Sequence, residues 1–393
     1  MRMHTKVVII GAGPAGLLLG HLLHRQGIDS VILERHDRAY VERRVRAGVL
    51  EQGTVDLLNE AGLGDRMRRE GLVHHGFNLQ FEGERHRIAL TELTQGRSVT
   101  VYGQQEVVKD LIAARLESGA PLLFDVDEVS LHAIDGPHPR VRFRSDGQNQ
   151  ELVCDFIAGC DGFHGVCRPS FPAGVLRMYE RTYPFSWLGI LASAPASSDE
   201  LIYALHDRGF ALYSMRSPTV GRLYVQCPND DRLENWSDDR IWSELTTRLA
   251  THDGWRLLDG PILERGITQM RSVVAEPMRH GCLFLAGDAA HVVPPTGAKG
   301  MNLAVADIKV LGEALAAWYF QGRADLMDQY SATCLRRVWR AEHFSWWMTS
   351  MLHRFPDDDA FQTQLQLSQL RYTVSSRAAA TSVAENYVGL AHV

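Results

Sequence analysis

The stretch KVVIIGAGPAG at residues 6–16 decides the fold, because a short β-branched run passes directly into a glycine-rich turn. The run predicts a parallel strand buried on both faces. After the turn, leucines recur at helical spacing up to Gly27, and VILE at residues 31–34 predicts a second strand. A strand, a glycine-rich turn, a helix and a strand in this order form a βαβ unit.

The turn has the pattern of a dinucleotide site. Gly11 permits the tight turn, Gly13 lets the backbone approach a pyrophosphate, and Gly16 lets helix and strand pack closely. Ala15 belongs to the same turn, and Glu34 at the end of the second strand can accept hydrogen bonds from ribose hydroxyls. The alternative is a plain strand-to-helix turn with an exposed glutamate. No second GxGxxG follows a strand, so either one dinucleotide binds or the second binds without such a unit.

Composition excludes several classes of protein. The 393 residues, 45% hydrophobic and 22% charged, indicate two or three globular domains. A net charge of −6 without a long basic run disfavours a nucleic-acid surface. Six cysteines without a CxxC pair predict reduced thiols in the cytoplasm and no metal site. No apolar run is long enough for a membrane span, and the run after Lys6 ends too early for a signal peptide.

The pattern of polar and apolar residues changes along the chain. Alternation at period two over residues 72–102 and 183–227 predicts an antiparallel sheet inserted into the dinucleotide-binding unit. FIAG at 156–159 and LFLAG at 283–287 predict further buried strands, and a helix is expected from Gly300 to about Phe320. The region from about 325 to 375 is predicted to be largely helical, with apolar bulk from Trp339, Trp346 and Trp347.

Three motifs follow predicted strands: GAGPAG at 11–16, CDG at 160–162, and GD at 287–288 leading into AAHVVPPTGAKGMN. Together they resemble the fingerprints of the class A flavoprotein monooxygenases, the single-component aromatic hydroxylases. Longer strings are most similar to family members that hydroxylate 4-hydroxybenzoate, and the resemblance covers nearly the whole chain. These strings are RVRAGVLEQG (44–53), VTVYGQ (99–104), RSVVAEPM (271–278), HFSWWMTS (343–350) and ENYVGL (385–390).

This resemblance implies an α/β fold, in which a Rossmann-like FAD-binding domain carries an inserted antiparallel β-sheet substrate domain and a helical C-terminal region. We place the FAD-binding domain at residues 1–71, 98–180 and 268–325, the substrate domain at 72–97 and 181–267, and the helical or interface region at 326–393. The resemblance also implies bound FAD, NADPH as co-substrate, O2 as oxidant, a small aromatic acid as substrate and a homodimer.

The resemblance extends to individual cofactor residues. It assigns Arg44 and Arg46 to the FAD pyrophosphate, and the two share a face if their segment is extended. Arg35 and Arg38 favour a 2′-phosphate and therefore NADPH over NADH, although Asp37 opposes it. For several assigned residues an ordinary surface or turn charge stays the alternative. The other implied cofactor residues are Gln104, Asp161, His164, Arg222, Arg271, Asp288, Gly297, Met301 and Asn302.

The strand FALYSMR at 210–216 points to the substrate. Its alternation places Ser214 and Arg216 on one face, where a guanidinium matches a carboxylate, and turns the bulky Tyr213 to the opposite face. The resemblance adds Tyr224 as a carboxylate contact and Pro295 as backbone lining the ring site.

At the phenol end the resemblance pairs Tyr203 with Tyr387 as a proton relay, with His74 at its solvent end, where a near-neutral pKa would suit proton exchange. The implied reaction converts 4-hydroxybenzoate to 3,4-dihydroxybenzoate through a flavin C4a-hydroperoxide. Two alternatives stay open. One is a related hydroxylase for another ring, such as 3-hydroxybenzoate or 3,4-dihydroxybenzoate, and the other is a flavin-binding sensor without turnover.

Overall fold

Four sheets and their connecting helices form the described part of the protein. The structure is a computed structural model that describes residues 2–44 and 48–389. The strands are β1 (Arg2–His4), β2 (Val7–Ile10), β3 (Ser30–Leu33), β4 (Val49–Leu50), β5 (Leu72–His74), β6 (Phe77–Phe81), β7 (Glu84–Ile88), β8 (Val99–Val101), β9 (Leu122–Leu123), β10 (Asp127–His132), β11 (Arg140–Ser145), β12 (Gln148–Val153), β13 (Phe156–Gly159), β14 (Arg177–Ala192), β15 (Ile202–Ala204), β16 (Ala211–Ser217), β17 (Val220–Cys227), β18 (Ile262–Glu276), β19 (Arg279–His280), β20 (Leu283–Leu285) and β21 (His291–Val292).

Helices cover the sheets and form most of the C-terminal region. They are α1 (Pro14–Arg25), α2 (Arg38–Arg43), α3 (Gln52–Glu60), α4 (Gly64–Glu70), α5 (Leu90–Leu93), α6 (Gln104–Glu117), α7 (Asp238–Arg248), α8 (Gly300–Gln321), α9 (Asp325–Asp328), α10 (Tyr330–Leu352), α11 (Ala360–Ser375) and α12 (Arg377–Val388). Within the described residues, none of them is long and apolar enough to cross a membrane.

The dinucleotide-binding unit is built on a six-stranded sheet with the order β19-β20-β13-β2-β3-β9. Strand β2 pairs in parallel with both β3 and β13, and β13 pairs in parallel with β20. All four residues of β2 and of β13 are buried, as expected for a sheet covered on both faces. The carboxyl ends of β2, β13 and β20 therefore meet at one edge, where the three predicted motifs begin.

The inserted unit is an eight-stranded sheet with the order β21-β18-β14-β17-β16-β15-β6-β7. Most neighbours are antiparallel, as predicted, but β15 pairs with β6 in parallel. The reason is that these two strands belong to distant segments of chain, so no hairpin fixes their relative direction. The sequence did not predict a separate four-stranded sheet, β1-β12-β11-β10.

Long strands connect the two units. Strands β14 and β18 pair along most of their length and run through the predicted domain limits at 180/181 and 267/268. A predominantly apolar core fills the dinucleotide-binding unit, and two further clusters lie on the opposite faces of the eight-stranded sheet. The predicted α/β fold class with C-terminal helices is confirmed, whereas the domain limits stay a prediction.

Candidate active site

A cavity of about 530 Å³ runs from the glycine-rich turn to the eight-stranded sheet. It has Pro295 and Tyr224, two predicted substrate contacts, among its lining residues. The cavity therefore reaches from the predicted cofactor residues to two of the five predicted substrate residues. The predicted cofactor residues that line it are Gly11, Gly13, Ala15, Glu34, Arg35, Arg44, Gln104, Asp161, His164, Arg222, Asp288 and Met301.

The glycine turn is shaped by close backbone contacts. Gly11 has a φ of 103°, and a Cβ there would lie 2.4 Å from the carbonyl oxygen of Cys160. A Cβ on Gly16 would lie 2.0 Å from the carbonyl oxygen of Gly11, so side chains are excluded at both positions. A Cβ on Gly13 would meet nothing within 4 Å, and its backbone faces the open cavity. Gly16 itself does not line the cavity but fixes the helix against the strand.

The Glu34 carboxylate closes the adenosine end of this turn. Its Oε2 accepts a hydrogen bond from the Ala12 N–H at 2.8 Å, and its Oε1 accepts one from the His36 N–H at 2.9 Å. Each carboxylate oxygen has a second lone pair, so Glu34 can still accept hydrogen bonds from a ribose. The fixed carboxylate and the open backbone at Gly13 fit an adenine dinucleotide.

The loop after β13 is ordered by Asp161. Its Oδ2 accepts a hydrogen bond from the Cys167 N–H at 2.8 Å, whereas its Oδ1 is buried without a partner in the described chain. Burial raises the pKa of Asp161 above its usual value. The carboxylate therefore holds the loop that forms one wall of the cavity.

The turn that carries Asp288 is held by a buried ion pair that the sequence analysis missed. The Gly287 N–H donates to Oδ2 of Asp307 at 2.9 Å, and Nε2 of His291 donates to the same oxygen at 2.6 Å. Burial alone would lower the pKa of His291, but Asp307 raises it above its usual value. Since Asp307 lies on α8, the pair joins this turn to the helix whose first residues line the cavity.

Of the cofactor residues predicted near the start of α8, some line the cavity and others do not. Gly300 and Met301 line the cavity, so the helix N-terminus faces it. The Asn302 side chain does not: its Nδ2 donates to the carbonyls of Val49 and Ala298, and it ties the helix to β4. A Cβ on Gly297 would lie 2.7 Å from the Ser345 hydroxyl, so this glycine faces α10 and does not line the cavity.

The charged residues at the outer rim are exposed. Arg35, Arg44 and His164 line the rim, whereas the guanidinium of Arg271 lies 4.9 Å from the Phe163 ring centroid and outside the cavity. Arg46 lies outside the described residues.

Next to the rim, Asp37 accepts a hydrogen bond from the Tyr40 N–H and caps α2, while Arg38 forms an ion pair with Glu42. The Asp37 carboxylate is therefore engaged by its own helix.

Across the sheet, the predicted substrate residues share one face. Strand register aligns Tyr203 with Leu212 and Leu212 with Tyr224, and it aligns Ser214 with Arg222. Tyr213 points to the other face, as predicted, where its hydroxyl accepts a hydrogen bond from the Ser197 N–H. Tyr203, Ser214 and Arg216 lie one or two strands beyond Tyr224 and do not line the main cavity.

This face carries polar atoms without protein partners. The Ser214 hydroxyl and Nη1 of Arg216 and of Arg222 are buried and lack hydrogen-bond partners among the described residues, although Nη1 of Arg222 lies 4.0 Å from Oε1 of Glu264 in an ion pair. Burial lowers the pKa of Arg216, partly offset by Tyr224. Arg216 also packs so close to Gly48 that a Cβ there would lie 2.6 Å from its Nη1. Buried donors of this kind are costly unless a ligand satisfies them, and an anion does so best.

A tyrosine pair lies on the same face, with Tyr203 two strands from Tyr224. The hydroxyls of Tyr203 and Tyr387 are 2.7 Å apart, and both side chains are buried. Burial raises the pKa of both phenols, so both are neutral at pH 7. Tyr387 comes from α12, and Phe77 stacks on its ring at 4.4 Å. The pair can exchange a proton along one short hydrogen bond.

His74 differs from its prediction. It is 1% exposed, and neither ring nitrogen has a hydrogen-bond partner among the described residues. Burial lowers its pKa to about 4, so the expected near-neutral pKa at a solvent-facing position is wrong for this conformation. The cause is desolvation of the imidazolium, which nearby carboxylates do not offset.

The sequence analysis did not assign Trp187 to the site, although Trp187 lines the cavity beside Tyr224. The only signal in the sequence was the alternation of polar and apolar residues along β14. Within the described residues no group of three or more His, Cys, Asp and Glu could hold a metal ion.

Comparisons with known proteins agree with this geometry. A family model described as an FAD binding domain matches residues 4–345. The p-hydroxybenzoate hydroxylase of Acinetobacter baylyi is 52% identical over 388 residues, which cover 99% of this chain and 96% of that protein. The rifampicin monooxygenase of Streptomyces venezuelae is 27% identical over 349 residues, covering 83% of this chain and 67% of that protein.

Solved structures share the fold. The p-nitrophenol 4-monooxygenase of Pseudomonas putida DLL-E4 superposes with a TM-score of 0.82 at 19% identity, with each chain fully covered. A complex of aklavinone-11 hydroxylase with FAD and aklavinone gives 0.75 at 23% identity, covering 90% of this chain and 70% of that one. On the extent of the family match and of the full-length relative, the chain belongs to the FAD-dependent monooxygenases that include the class A aromatic hydroxylases.

Proposed function

We propose that the protein hydroxylates 4-hydroxybenzoate at the ring carbon next to the phenol, with bound FAD, NADPH as reductant and O2 as oxidant. The observation that carries the proposal is that the Ser214 hydroxyl and Nη1 of Arg216, on the same sheet face as Tyr203, are buried without hydrogen-bond partners. The name and 52% identity of the Acinetobacter baylyi relative support this substrate. The products are 3,4-dihydroxybenzoate, NADP and water.

The carboxylate end fixes the substrate. Arg216 Nη1 and the Ser214 hydroxyl are already out of water, so a benzoate carboxylate gains their hydrogen bonds without a new desolvation cost on the protein side. The Tyr224 hydroxyl accepts a hydrogen bond from Arg222 Nε at 3.2 Å, which leaves its own proton for the substrate. With its carboxylate held at Arg216 and Ser214, the substrate would direct its phenol toward Tyr203.

The tyrosine pair controls the phenol proton. A free phenol has a pKa of about 10, and electrophilic attack on the ring is much faster once the phenol is ionised. The neutral Tyr203 hydroxyl can donate a hydrogen bond to the phenolate oxygen while accepting one from Tyr387. The proposed relay consists of Tyr203 and Tyr387, because His74 is buried and its pKa of about 4 disfavours proton uptake.

The cofactor roles follow the cavity. We propose that FAD lies along it, with its adenosine at Glu34, its pyrophosphate at the glycine turn and Arg44, its ribityl chain at Asp288, and its ring at Pro295 and Met301. FAD held by these residues would supply the acceptor for hydride from NADPH and the group that activates O2. The protein binds both ends of the substrate and excludes water. We propose that Arg35 and Arg38 select NADPH through its 2′-phosphate.

A homodimer and a cytoplasmic location complete the proposal. The supporting surface is the exposed side of α10, where Trp339 and Trp346 are 41% and 38% exposed. Light scattering at several concentrations measures the mass, and a monomer throughout would contradict the dimer.

The experiment for the reaction is a purified, FAD-loaded protein assayed for NADPH oxidation with 4-hydroxybenzoate, 3-hydroxybenzoate and 3,4-dihydroxybenzoate, with product identification by chromatography. We expect about one molecule of product per NADPH oxidised with 4-hydroxybenzoate, and no product with the other two acids. Product only from another acid would favour the related hydroxylase, and no NADPH oxidation with any acid would favour a sensor.

A further inference from the structure

Trp187 forms a wall of the chamber. It is 3% exposed, lines the cavity, and packs 4.8 Å from the Tyr224 ring. The Phe210 ring stacks on its other side at 5.0 Å and an interplanar angle of 11°. The direction of the indole therefore sets how much room an aromatic ring has beside Tyr224.

One buried histidine holds this indole. The Trp187 indole N–H donates to Nε2 of His353 at 2.7 Å. Nδ1 of His353 then carries the proton and donates to the Thr349 carbonyl at 2.9 Å. His353 has no exposed surface, and stacked rings of Phe185 and Phe210 lie 4.7 and 4.3 Å away. Burial lowers the pKa of His353 to about 3, so it stays a neutral acceptor at working pH.

The same helical turn also holds the loop of Pro295, a second residue that lines the cavity. The Thr349 hydroxyl donates to the Ser345 carbonyl at 2.7 Å, so the Thr296 hydroxyl, 2.9 Å away, donates to Thr349. Thr296 follows Pro295, which lines the cavity, and both threonines are fully buried. The end of α10 is therefore hydrogen-bonded to the Pro295 loop and to the Trp187 wall.

We propose that His353 and Thr349 are positioning residues that fix the distance between Trp187 and Pro295, and so determine which aromatic ring fits and how tightly water is excluded. The inference rests on the proposed function for its substrate. The positioning itself does not need turnover to be observed.

Two substitutions separate the two hydrogen bonds of His353. In H353Q the side-chain amide oxygen takes the place of Nε2 and can accept from Trp187. In H353N the amide takes the place of Nδ1, so the bond to Thr349 survives and the bond to Trp187 is lost. W187F removes the indole N–H, the donor of the same hydrogen bond, without a substitution at the end of α10.

The first measurement is the ¹⁵N-indole spectrum, in which W187F identifies the Trp187 resonance. We expect H353Q to keep that resonance near its original shift, with slow exchange, and H353N to move it and speed its exchange. The second is the Kd for 4-hydroxybenzoate from flavin absorbance, with product per NADPH. H353N and W187F should each raise Kd about three- to tenfold and lower product yield, because the wall beside the ring is no longer held in place; the energy of one neutral hydrogen bond sets the upper end of that range.

Adding H353N to W187F should cause no further change in Kd, because both act through the same indole. Normal Kd and product yield in FAD-loaded W187F would overturn the proposal, as would an unmoved Trp187 resonance in H353N. If H353N does not fold, W187F alone decides. A wild-type protein that fails to hydroxylate would contradict the proposed function, while the indole spectra would still test the positioning.

Discussion

Replacement of Arg216 by methionine tests the carboxylate site most directly. Methionine has a similar length and no charge, so it removes the buried Nη1 donor with little change in packing. A hydrogen bond between charged groups contributes about 1.5–3 kcal/mol when its donor is already desolvated. That range corresponds to a Kd for 4-hydroxybenzoate raised about 10- to 150-fold.

The assay is a titration of the FAD-loaded protein, followed by flavin absorbance, with 4-hydroxybenzoate and with the neutral 4-hydroxybenzamide. The wild type should prefer the acid, and R216M should lose most of that preference. Arg232 is exposed on the same unit, so R232M serves as a matched control and should behave like the wild type. An R216M variant that binds the acid within twofold of the wild type would remove Arg216 from the site.

The same substitution should stabilise the ligand-free protein. A buried guanidinium nitrogen without a partner is a cost to folding, and an apolar side chain avoids it. We expect the free energy of unfolding to rise by about 1 kcal/mol in R216M. Lower stability in R216M would mean that Arg216 already has a satisfied structural role.

Three further predictions concern the proton relay, the buried ion pair and the reductant. Tyr203→Phe should bind substrate within about threefold of the wild type but form little product, because it loses the hydroxyl paired with Tyr387; unchanged product yield by chromatography would contradict the relay. His291→Gln leaves Asp307 buried without its cation and should cost about 3 kcal/mol at pH 6 in urea unfolding. The folded pKa of His291 lies above its unfolded value of about 6.5, so this contribution is complete below pH 6.5 and declines as pH rises through the folded pKa; an equal cost at pH 6 and pH 9 would contradict the charged pair. Replacing NADPH by NADH should slow flavin reduction in stopped flow, and equal rates would refute selection of the 2′-phosphate.

Local features of the sequence predicted much of the fold. Part of the turn at 11–16 is fixed locally, since Gly11 has a positive φ and a Cβ on Gly16 would meet the carbonyl oxygen of Gly11, whereas the contact of Gly11 with Cys160 joins distant segments of the chain. The alternation of β16 is equally local, which is why Tyr213 could be assigned to the far face. Direction of pairing is not local, so the parallel contact of β15 with β6 was missed.

The sequence did not predict which polar side chains are buried by contacts between distant segments of the chain. His74 belongs to a short strand whose pattern gives no sign that its imidazole is excluded from water, and the expected pKa failed for that reason. Trp187 and His353 are 166 residues apart, and their hydrogen bond depends on how α10 docks on the sheet. His291 and Asp307 are only 16 residues apart in the sequence, but they meet because of the path of the intervening loop, which the sequence did not predict.

The distribution of unpaired polar atoms argues for a ligand at the sheet face. Ser214 and Arg216 each leave a buried donor without a hydrogen bond there, while the Tyr203 and Tyr387 hydroxyls share one hydrogen bond. A face selected only for stability would replace such donors with apolar groups, because each one costs free energy in the empty protein. Their position therefore favours an anion at the arginine end and a group that exchanges protons at the tyrosine end, which matches the two ends of a hydroxybenzoate.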